Sequence, residues 1–236
     1  MILPVEIMQV ITDYLEYKYA TRVRISSKLF YDYIKYYSLY IDDNEHEYPP
    51  LDSYIKKIIV NRGVTRQIDI SAAINLQYLT FVDYPYSINL NNCKNLRVLC
   101  VVGCRCKIGD NDIKDLRDIL LLNAEYNPNI TTVNHLKKLK VLFANGDCGI
   151  TDNGIQECTE LEQLDVSDNQ NISHINHLTK LQILHADGES GVDDESLIGL
   201  NNLQIISCID NTKITNLYNL PQLKQIRIAP NHIINL

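Results

Sequence analysis

The chain has 236 residues, 45 % of them apolar and 22 % charged, a balance that suits one large globular domain or a small module joined to a larger one and excludes wholesale disorder. Its net charge of −7 argues against a nucleic-acid binder, which needs a basic face to meet phosphates. No apolar run approaches the ~18 residues of a membrane span, and the first apolar stretch carries Glu6 and Asp13 with no basic lead-in, unlike a signal peptide.

Residues 1–41 show helical spacing. Leu3, Ile7, Ile11, Tyr14 and Leu15 fall on one face, and Pro4 and Glu6 suit a first turn. A second helix is predicted over 19–25. A third, capped by Ser26 or Ser27, carries Leu29, Phe30, Tyr33, Ile34 and Tyr37. Three short helices make too small a core to stand alone, so they are expected to pack on whatever follows. Residues 42–54 are acidic and contain Pro49-Pro50, which disfavours both helix and strand and predicts a solvated linker.

From residue 55 onward the sequence copies itself. The pattern L-x-x-L-x-L starts at Leu76, Leu96, Leu116, Leu139, Leu161, Leu181, Leu203 and Leu223, at nearly even spacing. A weaker copy begins at Ile55, so 55–236 holds about eight repeats and a terminal stub. One repeat cannot bury its own leucines and must stack on its neighbours. Each pattern is expected to contain a short parallel strand. The pattern resembles that of leucine-rich repeats, and the resemblance implies an Asn or Cys in the ninth position, its side chain satisfying backbone groups inside the turn; Cys104, Asn169, Asn211 and Asn231 fit, Asp147 is tolerable, and Gly63, Tyr84, Ala124 and Glu189 depart from it. Short helices are predicted at 108–113, 150–155 and 192–197, with Thr151 or Asp152 as an N-cap.

Alternation along each strand turns the x positions away from the core. One column then reads Tyr78, Val98, Asp118, Val141, Gln163, Ile183 and Ile205, and the next Thr80, Cys100, Leu120, Phe143, Asp165, His185, Ser207 and Arg227. A third reads Val82, Val102, Leu122, Asn145, Ser167, Asp187 and Ile209. Val98, Cys100, Val102, Leu120, Leu122, Val141 and Phe143 are expected to form one exposed apolar patch, a candidate surface for a protein target. Tyr78, Asp165 and His185 extend it. Asp165, His185 and Ser207 line up as an acid, a base and a nucleophile, but no strained nucleophile turn, oxyanion loop or pocket is encoded around them, so a polar binding surface is the better reading. The seven cysteines are odd in number and lack paired zinc-ligand spacing, which points to free structural thiols in a reducing interior and to no metal or cofactor.

Two resemblances follow from these residues. The array from 55 to 236 resembles leucine-rich repeats, and the segment Cys148-Gly-Ile-Thr-Asp-Asn-Gly-Ile155 with Cys158 is similar to the cysteine-containing class of them. Leu3-Pro4-Val5-Glu6-Ile7, Ile11 and Tyr14-Leu15, followed by Ser27-Lys28-Leu29-Phe30-Tyr31, resemble the opening and close of an F-box, with a one-residue insertion and Phe30 where Trp is usual. The implied fold is α/β: a leucine-rich-repeat horseshoe with parallel strands on its concave face, preceded by a three-helix F-box-like module. The implied function is that of a substrate receptor of a cullin-type ubiquitin ligase. Leu3, Pro4, Ile7, Ile11, Tyr14 and Leu15 would dock a Skp-type adaptor while the repeats hold the target. The other reading is a repeat scaffold whose N-terminal helices only cap the array. Either is non-enzymatic and cytoplasmic, free of membrane and nucleic acid. The Asn, Ile and Tyr bias, with this layout, is similar to proteins of giant amoeba viruses or AT-rich protists.

Overall fold

The computed structural model describes residues 37–41 and 55–229. Residues 1–36, where helices are expected, residues 42–54, expected as a linker, and Asn231 lie outside the described residues, and with them the expected adaptor contacts. Among the described residues, ten parallel strands, hydrogen-bonded in chain order, make one sheet. They are β1 (Tyr37–Ile41), β2 (Ile55–Val60), β3 (Tyr78–Val82), β4 (Val98–Val102) and β5 (Leu121–Asn123). Then follow β6 (Val141–Phe143), β7 (Gln163–Asp165), β8 (Ile183–His185), β9 (Ile205–Ser207) and β10 (Gln225–Arg227). Strand pairing in chain order, one strand per repeat, is the signature of a solenoid whose turns touch only their neighbours.

One edge of the sequence reading changes at once. Tyr37, expected at the end of a third helix, opens β1, which pairs with β2 from Tyr37↔Ile55 to Ile41↔Val60. Residues 37–41 therefore belong to the solenoid sheet and not to a helical module ending at 41. Their sequence, Tyr-Ser-Leu-Tyr-Ile, is rich in strand formers, and Ile41 is fully buried.

The core is the stack of pattern leucines. Leu76, Leu96, Ile119, Leu139, Leu161, Leu181 and Leu203 are at most 1 % exposed. So are Leu79, Leu99, Leu122, Leu142, Leu164, Leu184 and Ile206 one rung later. Each is worth roughly 1.5–3 kcal/mol of burial, which no isolated repeat would realise.

The fourth repeat, counted from Ile55, starts at Ile119 and not at Leu116. Register pairs Val98 with Leu121, Leu99 with Leu122 and Cys100 with Asn123. With Ile119 in place of Leu116, the spacing between successive starts becomes a regular alternation of short and long repeats. Leu116 instead fills the turn before the strand, where Leu136, Cys158, Leu178 and Leu200 stand in later repeats, all of them buried like it. The run Ile119-Leu-Leu-Leu122 hides the frame because every register through it looks apolar.

The corrected frame also changes the ninth-position reading. In the short repeats it falls on Asn127, Asn169 and Asn211, evenly spaced along the chain and at most 1 % exposed. Each amide bridges two earlier backbone carbonyls. Asn127 Nδ2 donates to Val101 O at 2.9 Å and Ile108 O at 3.1 Å. Asn169 reaches Ala144 O at 2.6 Å and Ile150 O at 3.5 Å, and Asn211 reaches Ala186 O at 2.9 Å and Val192 O at 3.0 Å. Tyr84, an apparent departure, does related work: it is buried, and its hydroxyl accepts a bond from Ile68 N at 2.8 Å. In the long repeats the ninth residue points out. Cys104 is exposed and has no turn role, and Cys106 is buried in its place.

The long repeats carry the predicted short helices: α1 (Asp110–Ile113), α2 (Asp152–Ile155) and a 3-10 turn at Glu195–Leu197. Thr151 stands at the N-cap of α2 but makes no side-chain cap bond. Asp152 does not cap its own helix either. It accepts Ser173 N at 2.7 Å and His174 N at 2.8 Å from the next repeat. Asp110 holds Thr131 N at 2.8 Å, and Asp194 holds Thr215 N at 2.7 Å, in the same way. These acids clamp one turn of the solenoid to the next.

Candidate binding surface on the open sheet face

The side chains that alternate with the core leucines form the open face of the sheet, which the sequence assigns to the concave side. Register puts Tyr78, Val98, Leu121, Val141, Gln163, Ile183 and Ile205 in the first column. The second column is Thr80, Cys100, Asn123, Phe143, Asp165, His185 and Ser207. The third continues these strands through Val82, Val102, Glu125, Asn145, Ser167, Asp187 and Ile209.

Two predicted site residues leave the surface. Leu122 is fully buried in the inner core, and Leu120 lies just before β5, half-buried in the row of Arg97 and Lys140. Asp118 also leaves its column; it pairs with Arg97 at 3.0 Å and Lys138 at 2.6 Å. Leu121, which sequence reading passed over, takes the place between Val98 and Val141. A shift of odd length in the frame exchanges the two faces of a strand, and the slip from Ile119 to Leu116 is odd.

The apolar patch assembles around Leu121. Val98, Cys100, Leu121 and Val141 pack together, with Tyr78, Val102 and Phe143 against them. It is less exposed than the columns suggested: those first four side chains are at most 6 % exposed. Neighbouring strands ~4.8 Å apart let adjacent apolar side chains cover one another. What a partner can touch is the half-buried rim of Tyr78, Val102 and Phe143. Burial pushes the Cys100 thiol up to about 12, so it serves as a packed apolar group and not a nucleophile.

The face turns polar across β6 and β7. Asp165 and His185 are brought side by side, followed by Ser207. The Ser207 hydroxyl is engaged elsewhere, donating to Asp187 Oδ1 at 2.7 Å, while Ile209 N donates to the same oxygen at 2.7 Å. Ser167 N donates to Asp165 Oδ1 at 3.0 Å. Burial holds the Asp165 carboxyl above the usual range, against the opposing pull of Ser167 and His185, with Glu125 adding to the rise. Asn145 Nδ2 donates to Glu125 Oε1 at 2.9 Å. Glu125 and Asn123 were missed for the same reason as Leu121; the correct frame would have found all three.

Among the described residues, no group of three or more His, Cys, Asp or Glu side chains is placed to hold a metal ion, and no helix is long and apolar enough to cross a membrane. The seven cysteines are free; Cys104 is exposed and the others are buried.

No protein-family model matches the chain, and no curated protein matches it. Solved structures do. Internalin C2 of Listeria monocytogenes is 25 % identical, over 70 % of this chain and 77 % of that one, with a TM-score of 0.53. An internalin, inlF, of the same organism is 23 % identical over 76 % of this chain and 68 % of that one, at a TM-score of 0.46. The functional domain of InlJ, also from Listeria monocytogenes and described as including a cysteine ladder, is 14 % identical over 73 % and 42 %, at 0.45. The likeness to internalin C2, together with the stacked leucines and the one-strand-per-repeat sheet, identifies the fold of this chain as a leucine-rich-repeat solenoid.

Proposed function

We propose that the chain is a non-enzymatic protein-binding scaffold whose open sheet face, from Tyr78 to Asp187, receives a protein partner. The observation that carries this is the seam on that face, where an apolar cluster rimmed by Tyr78, Val102 and Phe143 gives way to Glu125, Asp165 and Asp187. An apolar anchor region beside a polar border is the usual anatomy of a recognition surface. The proton of Ser207 is engaged by Asp187, which speaks for a polar surface over a nucleophilic centre. Six buried free thiols suit a reducing, cytoplasmic setting. Photo-crosslinking tests the scaffold reading. A photoreactive residue at Val102 or Phe143 should give discrete adducts in extracts of the source cells, while one at exposed Ile198 on the far side should not. Equal labelling from both sides would reject the surface.

The finer reading is a ligase receptor, and its support is the F-box-like spacing of Leu3, Pro4, Ile7, Ile11, Tyr14 and Leu15. On this reading those residues dock a Skp-type adaptor and the open face holds the ligase's target. Mixing the chain with an adaptor should give a complex in size exclusion that a folded Ile7→Asp/Ile11→Asp variant loses. No complex would reduce the module to a cap on the array and leave the scaffold in place.

A further inference from the structure

Between β4 and β9 the open face carries three carboxylates, Glu125, Asp165 and Asp187, and no lysine or arginine in any of its three columns. Three of its hydrogen-bond donors are committed, and the His185 ring stands beside Asp165. Asn145 Nδ2 serves Glu125 Oε1 at 2.9 Å, Ser207 Oγ serves Asp187 Oδ1 at 2.7 Å, and Ser167 N serves Asp165 Oδ1 at 3.0 Å. Acceptors are left over. Gln163 is only 7 % exposed and its Oε1 has no partner. The Oδ1 of Asn145 is likewise buried without one. Unmet buried acceptors destabilise the free protein and favour any donor that reaches them.

Phe143 sits at the centre of this group. It is the register partner of Asp165, and Val141, two residues before it, is the partner of Gln163; Asn145 is two residues after it on the same face. The ring is half-buried and packs on the apolar cluster. An aromatic face beside two carboxylates and surplus acceptors matches one kind of side chain: planar, cationic and rich in donors. Arginine offers five N–H donors in a rigid fork and stacks on aromatic rings.

We propose that the open face binds an extended segment of a partner protein through one arginine. Its guanidinium lies over Phe143 and meets Asp165 and Glu125, and the apolar residues beside it rest on the rim of Tyr78 and Val102. The proposal rests on the scaffold reading above and names the chemistry of the partner.

The test is selection from a random linear peptide library on the full chain, counter-screened against Phe143→Ala. The expected binders carry one fixed arginine flanked by apolar residues. Exchanging that arginine for neutral citrulline should weaken binding about 30-fold. Asp165→Asn and Glu125→Gln should weaken the arginine peptide to a similar degree and leave the citrulline peptide unchanged. Both substitutions conserve volume, and thermal melts verify folding; Glu125→Gln carries the comparison should Asp165→Asn unfold. Binders that need Phe143 but tolerate citrulline overturn the arginine site and leave the binding surface standing. Binders indifferent to Phe143, or no binders at all, overturn both.

Discussion

Asn169 shows how one side chain closes a repeat. Its Nδ2 caps Ala144 O and Ile150 O from the preceding turn, and its Oδ1 accepts Asn171 N at 2.9 Å. The two carbonyls have no ladder partner of their own. Asn169→Ala leaves them unmet and opens a small cavity, so it should destabilise the chain by about 3 kcal/mol. For a chain of this size that is a fall in melting temperature of roughly 6–12 °C, readable by circular dichroism. Asn171→Ala lies outside the turn and keeps its backbone N–H, and is expected to cost less than about 0.5 kcal/mol. Asn169 and Asn211 were legible in the sequence because their spacing from the leucine pattern is undisturbed. Asn127 was not, because the pattern was started at Leu116 and not at Ile119. Tyr84 was not either, since nothing in a residue count shows that a phenol can reach the backbone that an amide usually serves.

At the scale of the element, β5 decides what the binding surface is. Four consecutive apolar residues, Ile119 to Leu122, satisfy both faces of a strand, so the alternation that marks inside from outside is silent there. The structure breaks the tie through neighbours: Leu121 is 1 % exposed between Val98 and Val141, and Leu120 is half-buried in line with Arg97 and Lys140. Leu121→Asp puts an unpaired charge into the apolar cluster and should cost about 3 kcal/mol or more. Leu120→Asp sets a carboxylate between two cations at a partly wetted edge and should stay within about 0.5 kcal/mol of the parent. Chemical denaturation of both variants measures the difference. The reverse order would restore the earlier frame and move the surface with it. Where alternation is clear, as in Leu161-Glu-Gln-Leu-Asp-Val166, the sequence alone places Gln163 and Asp165 on the open face correctly.

Across the whole molecule the unit of construction is a pair of repeats, short then long. Asp110, Asp152 and Asp194 recur at one fixed spacing, and Asn127, Asn169 and Asn211 recur at the same one. Each asparagine of a short repeat reaches back to a carbonyl in the loop of the long repeat before it, and each aspartate of a long repeat reaches forward to the short one after it. Nearest-neighbour coupling of this kind makes stability depend on which repeats touch, not only on how many there are. Deleting residues 140–181 joins Leu139 to Gln182 and keeps the alternation, because it removes one whole pair. Deleting residues 140–161 is the smaller cut, yet it stacks two short repeats. Asn169 then loses Ile150 O, Ser173 and His174 lose Asp152, and the ring of His177 loses Ile155 O, its 3.1 Å partner. The larger deletion should therefore leave the more stable protein, melting several degrees above the smaller one in parallel thermal scans. Equal melting, or the opposite order, would mean that the repeats are interchangeable and that their pairing carries no energy of its own.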